Sequence, residues 1–429
     1  MSAPSTGTAA PERVLPRRRL GFAAAVASLV VVFTASGAPI PLYERYRAAD
    51  GLTTGDLSVA AVTYFVAVML ALVVLGRLSD HVGRKAVGFT ALGLAAAGSL
   101  ALLDVTGLGV LATGRFLQGL ACGLGSSAVA AGIVDLAPGR PSWLGATAVA
   151  GSPLVGLTLG ALGAGALAEH GPAPEQTPYL AVVALLAVCA VLLALGPEAV
   201  DRRAGALASL RPRVHLPRSI RPLLPAAVAV FCGTWAFGGF YQAFSPTISA
   251  QDLGTRSTLV AGVVFASFMA PYALGGPLTG RLRPPNAQRA GIVVFALAVT
   301  GVVTGLRTGS VTAVIACGIV AGAAQGAAFT GSVRGLLHRI GPGERAGLMS
   351  TVYLFSYGGA AVPSLVSGRL SAAGTGLQTI ALGYAALAVL AAVVVLLTAG
   401  TGRAAATTTT TTTTSTSTST NHHPTDDGR

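Results

Sequence analysis

Apolar residues run along this chain in blocks of roughly twenty, the length needed for a helix to cross a bilayer, with short polar stretches between them. In lipid, each backbone N–H and C=O must pair within its own segment, so such blocks are read as helices. Twelve are present. They cover 20–41, 57–77, 86–103, 108–136, 143–168 and 179–196 in the first half, then 224–248, 258–280, 290–306, 311–333, 346–370 and 377–399. The alternation that marks a membrane barrel is missing. The pattern predicts an all-α integral membrane protein of twelve transmembrane helices. Residues 1–19 are polar and basic, and 197–223 form a charged linker between two six-helix bundles, 20–196 and 224–399. The Thr/Ser-rich run 400–429 cannot build a core and is expected to be disordered.

Composition agrees. The 429 residues are 52% hydrophobic and 10% charged, where a soluble protein carries about a quarter charged residues. The net charge of +13 does not point to nucleic acid, because the basic residues sit in short loops rather than in a stripe on a soluble domain. Their distribution predicts orientation instead. Twenty-two Arg and Lys fall on one side, including Arg17–Arg19, Arg77, Arg84, Lys85, Arg281 and Arg283, against five on the other. Both termini and the linker are therefore expected in the cytoplasm, with the chain in the inner cell membrane. Arg17-Arg18-Arg19 ahead of an apolar run could pass for an export signal. Eleven further spans argue for an uncleaved first helix. Cys122, Cys189, Cys232 and Cys317 each lie in an apolar run without CxxC spacing, so they read as buried small hydrophobes, with no metal site or cofactor implied.

Short matches recur between the halves. Gly76-Arg77-Leu78 ends the second span and Gly280-Arg281-Leu282 the eighth, an offset of 204; Gln118-Gly119 in the fourth and Gln325-Gly326 in the tenth are offset by 207. Two matches at nearly one offset argue for pseudo-symmetric duplicated bundles, an architecture that rocks about a central site.

The loop between the second and third spans reads Gly76-Arg77-Leu78-Ser79-Asp80-His81-Val82-Gly83-Arg84-Lys85. It resembles the signature loop of the major facilitator superfamily, Gly-x-Leu-x-Asp-x-x-Gly-Arg-Lys/Arg, and the likeness extends to the twelve spans and central linker. The residues also make local sense. Gly76 would allow close helix approach, and Gly83 a tight turn. Asp80 would face a positive helix N-terminus, which the family fold implies is that of the eleventh span. Arg84 would reach Asp135 at the end of the fourth span. Asp80, Arg84 and Asp135, with Gly76, Gly83 and Lys85 around them, are expected to form a cytoplasmic latch favouring the inward-closed state. The alternative is a basic loop that only sets topology.

Arg115-Phe116-Leu117-Gln118-Gly119 is similar to the Arg-x-x-Gln-Gly stretch of proton-coupled facilitator antiporters. Arg115 is the charge placed well inside a span, and such a residue is a functional candidate. The resemblance implies a role in proton coupling; snorkelling to the outer surface is the alternative. The fifth span, Gly156-Leu157-Thr158-Leu159-Gly160-Ala161-Leu162-Gly163-Ala164-Gly165, resembles the glycine-rich motif of drug–proton antiporters. It departs from that motif at Ala161, where Pro is expected, and at Ala164. Ordinary packing glycines are the competing reading.

Candidate pathway residues are Gln118, Trp235, Tyr241, Gln242, Gln325, Tyr353 and Tyr357. Amphipathic aromatics with a few amides suit an apolar or amphipathic solute near the midplane. An interfacial belt is the alternative for Phe240, Tyr241 and Phe244. No HExxH, GxSxG or Walker A motif is present, which argues against a membrane enzyme or an ATP-driven pump. The expected protein is a monomeric secondary transporter, by resemblance a proton-coupled exporter of a small molecule, surrounded by membrane lipid. A facilitator, an importer and a non-transporting sensor are the alternatives. No acidic residue lies inside a span of the second half, so no proton carrier is named.

Overall fold

The computed structural model describes residues 14–138, 144–198, 200, 204–210, 217–341 and 344–398. The tail 400–429, the chain before Val14 and linker residues 199, 201–203 and 211–216 lie outside the described residues.

Among the described residues, twelve long helices follow one another. The first six are α1 (Val14–Gly37), α2 (Thr54–Leu70), α3 (Arg84–Ala101), α4 (Leu108–Leu124), α5 (Leu144–His170) and α6 (Thr177–Leu195). Then come α7 (Leu224–Thr247), α8 (Thr258–Met269, resuming as Tyr272–Thr279), α9 (Pro284–Arg307), α10 (Val311–Leu337), α11 (Arg345–Ala372) and α12 (Leu377–Thr398). Among the described residues, ten are long and apolar enough by composition to cross a membrane. The other two are α3, which opens on Arg84-Lys85, and α11, whose Arg, Ser and Gly lower its apolarity.

Several spans are interrupted, and the residues say why. Pro39 and Pro41 lack an N–H and cannot continue α1. The chain instead makes a tight turn at Ile40–Leu42 and runs on as a short helix, Tyr43–Asp50. Pro271 breaks α8 in the same way. Helices α2, α4 and α7 run on into π turns at Ala71–Leu75, Gly125–Val129 and Ile248–Asp252, and after its π turn α4 resumes as Ala130–Leu136. Such turns often accompany functional positions in helices.

Duplication is visible in the packing. Gly119 of α4 lies against the Tyr64 carbonyl of α2, and Gly326 of α10 lies against the Tyr272 carbonyl of α8. A side chain at either glycine would strike backbone, which explains why these positions hold glycine. The four residues are related by offsets of 207 and 208. Among the described residues, helices α6 and α12 pack chiefly within their own halves and expose Leu180, Val188, Val191, Leu390, Val393 and Leu397 outward, as lipid-facing helices do. The halves meet through α2 against α7 and α11, and through α5 against α8.

Candidate functional site

The break in α1 organises the first half. Because Pro39 has no N–H, the Ala35 carbonyl four residues earlier loses its helical donor. Gln118 Nε2 supplies one at 2.8 Å. Arg115 Nη1 donates to the next carbonyl, Ser36, at 2.7 Å and to Gln118 Oε1 at 2.8 Å. Arg115 and Gln118 thus clamp the broken turn from α4. Both are 0% exposed, and Arg115 is the largest fully buried side chain among the described residues. Snorkelling is therefore excluded. The guanidinium carbon sits 4.5 Å from the Tyr64 ring centroid, a cation–π contact that offsets part of its desolvation. The turn it holds, Ile40–Leu42, is fully buried between α5, α7 and α8, so the clamp supports a plug between the halves.

A box of aromatic rings lies next to this clamp. Trp235 of α7 meets Tyr357 of α11 edge-on at 4.8 Å and Phe329 of α10 at 6.2 Å. Tyr353, Phe231 and Tyr272 extend the box at 6.3, 5.2 and 5.9 Å from their neighbours. Phe65 of α2 closes it from the first half, 6.3 Å from Tyr357. Phe65, Tyr272 and Phe329 were missed in the sequence. Phe329 sits four residues after Gln325 and so shares its helix face, and Tyr272 follows the Pro271 break; both signals were available. Trp235, Tyr272, Phe329 and Tyr353 are only half-buried.

Closure is lopsided. At the end opposite the basic loops, Gly368 of α11 packs on Ser58 and Gly55 of α2, and Gly262 of α8 packs on the Ala161 carbonyl of α5. Glycine is required at these crossings because a Cβ would meet the facing helix at 2.6 Å. Glu169 Oε2, at the end of α5, accepts from Ser257 Oγ at 2.9 Å, Thr258 Oγ1 at 3.1 Å and the Leu259 N–H at 3.3 Å. It therefore caps the positive start of α8 from across the interface. A cavity of about 540 Å³ adjoins this mouth, lined by Glu44, Arg45, Arg47, Glu175 and Arg256 among others. At the basic end the second stretch of α8, Tyr272–Thr279, scarcely touches α5.

The signature loop folds as a unit on the first half. Arg84 donates to Asp80 Oδ1 at 2.6 Å, to Ser79 Oγ at 2.6 Å and to Asp135 Oδ2 at 3.2 Å. Gly83 has φ +100°, which favours glycine. Two members of the expected latch act elsewhere. The Lys85 ammonium donates to the Ala194 and Gly196 carbonyls at the end of α6, at 2.9 and 2.8 Å. At Gly76 the nearest atoms a Cβ would meet are those of the Leu72 backbone in its own chain, brought close by the preceding π turn. No sequence signal pointed to Glu198, whose carboxylate accepts from the Arg84 and Lys85 backbone N–H groups and caps α3.

The remaining pathway candidates part company. Trp235, Tyr353 and Tyr357 lie together in the box. Gln118 spends both ends of its amide on the clamp. Tyr241 is fully buried against Phe237, Phe240 and Phe268 within the second half. With Phe240 and Phe244 also 0% exposed, these rings are interior packing rather than an interfacial belt. Gln242 and Gln325 are both 5% exposed, and the Gln242 Nε2 has no hydrogen-bond partner. In α5, Gly156 and Gly160 pack against the α1 backbone.

Residues 20–283 match the family model of the Major Facilitator Superfamily, and the chain belongs to that family. It is accordingly a multi-pass membrane transporter. Among solved structures it is similar to the nucleoside transporter NupG, with a TM-score of 0.68 and 13% identity over 88% of this chain and 99% of that one. At that identity the likeness establishes the fold. No curated protein matches the chain in sequence.

Proposed function

We propose that this transporter moves a small apolar or amphipathic solute out of the cell by alternating access, coupled to protons. The observation that carries the reading is the lopsided closure around an aromatic box. The halves are clasped at one mouth by glycine crossings and Glu169, while the basic end of α8 stands off α5. The count of basic residues supports placing that basic end in the cytoplasm, so this conformation would accept solute from inside. Rings from α2, α7, α8, α10 and α11 offer apolar faces with polar edges at the meeting of the two halves, which suits an amphipathic ligand. The triad Arg84–Asp80–Asp135 would hold the basic end when it closes, by presenting Asp80 to the start of α11.

One observation favours a second reading, uncoupled facilitated transport. Acidic residues in the described spans lie at helix ends, so a buried proton carrier is not in evidence. Flux of screened solutes into proteoliposomes, with and without an imposed pH gradient, decides between them. Accumulation that collapses with the gradient supports coupling, whereas flux indifferent to pH overturns it. The absence of flux for any solute that the protein binds would favour a sensor.

A further inference from the structure

We propose that Arg115 is an anion-binding element and that the solute is an aromatic acid, its ring in the aromatic box and its carboxylate on the guanidinium. The inference rests on the box being the solute site.

The guanidinium uses only one of its nitrogens. Nη1 is committed to Ser36 and Gln118, whereas Nε and Nη2 are buried without a hydrogen-bond partner. Those two nitrogens form the side edge of the guanidinium, the pair of parallel N–H donors that matches a carboxylate bidentately. No described carboxylate pairs with Arg115: the ion pairs of the structure join Arg45, Arg47 and Arg84 to other acids. A buried charge lacking a counter-charge is costly, and an anionic ligand would supply one. Two further buried hydroxyls lie beside it, both able to turn toward an anion. Ser36 Oγ belongs to the residue whose carbonyl holds Nη1, and the Tyr43 hydroxyl lies within electrostatic reach of the guanidinium.

The position relative to the box fits a two-part ligand. Tyr64 covers the guanidinium, while its neighbour Phe65 packs on the Tyr357 ring. Tyr64 and Phe65, neighbours on α2 with ring centroids 5.5 Å apart, thus connect the charge to the rings. The site is single. The residue 207 positions on is Gly322, packed against the Phe268 carbonyl, so the second half offers no matching cation. A cationic solute would meet only a fixed positive charge.

The test uses full-length protein in detergent with Trp143→Phe, leaving Trp235 as the fluorescent reporter. Benzoate, benzyl alcohol, benzylamine and chloride are titrated. Benzoate is expected to quench Trp235 with a Kd at least about 10-fold below that of benzyl alcohol, with benzylamine weaker still. Arg115→Gln should abolish the difference. Because that change also loosens the α1 clamp, Tyr43→Phe provides a variant that leaves the clamp intact, and it should weaken benzoate binding selectively by about 3-fold. Equal binding of benzoate and benzyl alcohol, or a benzoate preference that survives Arg115→Gln, overturns the proposal while leaving the box as solute site. Competition of chloride with benzoate, lost in Arg115→Gln, supports the anion site and shows that a free inorganic anion also reaches it. Stabilisation by chloride through Arg115 with no aromatic probe reaching Trp235 keeps the anion site, but overturns the aromatic-acid assignment and the box as solute site.

Discussion

Thr258 and Glu169 join the two halves of the molecule: the Thr258 hydroxyl lies 3.1 Å from Glu169 Oε2 and 3.0 Å from the Gly165 carbonyl. Both acceptors are on α5 and the donor is the first residue of α8. The contact can exist only while this mouth is shut, so it biases the balance between the two access states rather than the stability of either half.

Glu169→Gln should therefore open that mouth. Charge-assisted hydrogen bonds are strong, but Glu169 is exposed and solvent screens it, leaving roughly 1 kcal/mol, about 5-fold in the conformational equilibrium. Spin labels at the exposed residues Gln176 and Gln251 would report it as a larger long-distance population. An unchanged distance distribution would remove Glu169 from the gate.

Gly262→Val tests the same mouth through sterics. Its Cβ would come within 2.6 Å of the Ala161 carbonyl, and overpacking of this kind costs about 1–3 kcal/mol. The closed mouth alone suffers the clash. Cysteine cross-linking between α5 and α8 near that mouth is expected to fall, with the folded yield preserved.

Gln118→Ala should destabilise the protein by about 1–3 kcal/mol, because the Ala35 carbonyl is left buried with neither its helical donor nor the amide. A lowered thermal midpoint in detergent is the expected result, and Gln118→Glu should not restore it, since a carboxylate cannot donate to a carbonyl. A midpoint unchanged in Gln118→Ala would show that the α1 break needs no clamp.

Asp80→Asn weakens the tie to Arg84, whose second carboxylate, Asp135, remains. Under the latch reading, transport slows several-fold and the basic end opens more often. Normal flux together with an unchanged inward–outward balance would reduce the loop to a topology signal.

Trp235→Ala should weaken binding of an aromatic solute by about 10-fold or more, since the indole contacts both Tyr357 and Phe329. Equilibrium binding to the purified variant measures it. Tyr241→Phe is the control: buried among rings of its own half, it should leave affinity unchanged.

Much of the fold is legible in the sequence. Apolar runs near the length of a bilayer dictate helices whatever the packing, because backbone groups in lipid have no other partner. Gly83 and Arg84 were readable for a similar reason: a positive φ and a short-range ion pair are local requirements. Gln118-Gly119 and Gln325-Gly326 exposed the duplication, since a glycine under a crossing helix is needed once in each half.

What the sequence determined by itself, then, is the number and kind of the helices, the repeat and the signature loop. Only the tertiary structure decided what Arg115 does, because its partners Ser36 and Tyr64 come from α1 and α2 and the Pro39 break supplies the carbonyls. It alone separated Trp235 from Tyr241, which lie six positions apart on one helix and face different neighbours. It alone placed Glu169 at the start of α8, and Lys85 on the end of α6 rather than with Asp80. These contacts join residues dozens to more than a hundred positions apart. Hydropathy reports burial in lipid or protein alike, whereas the choice of partner depends on how twelve similar helices are arranged.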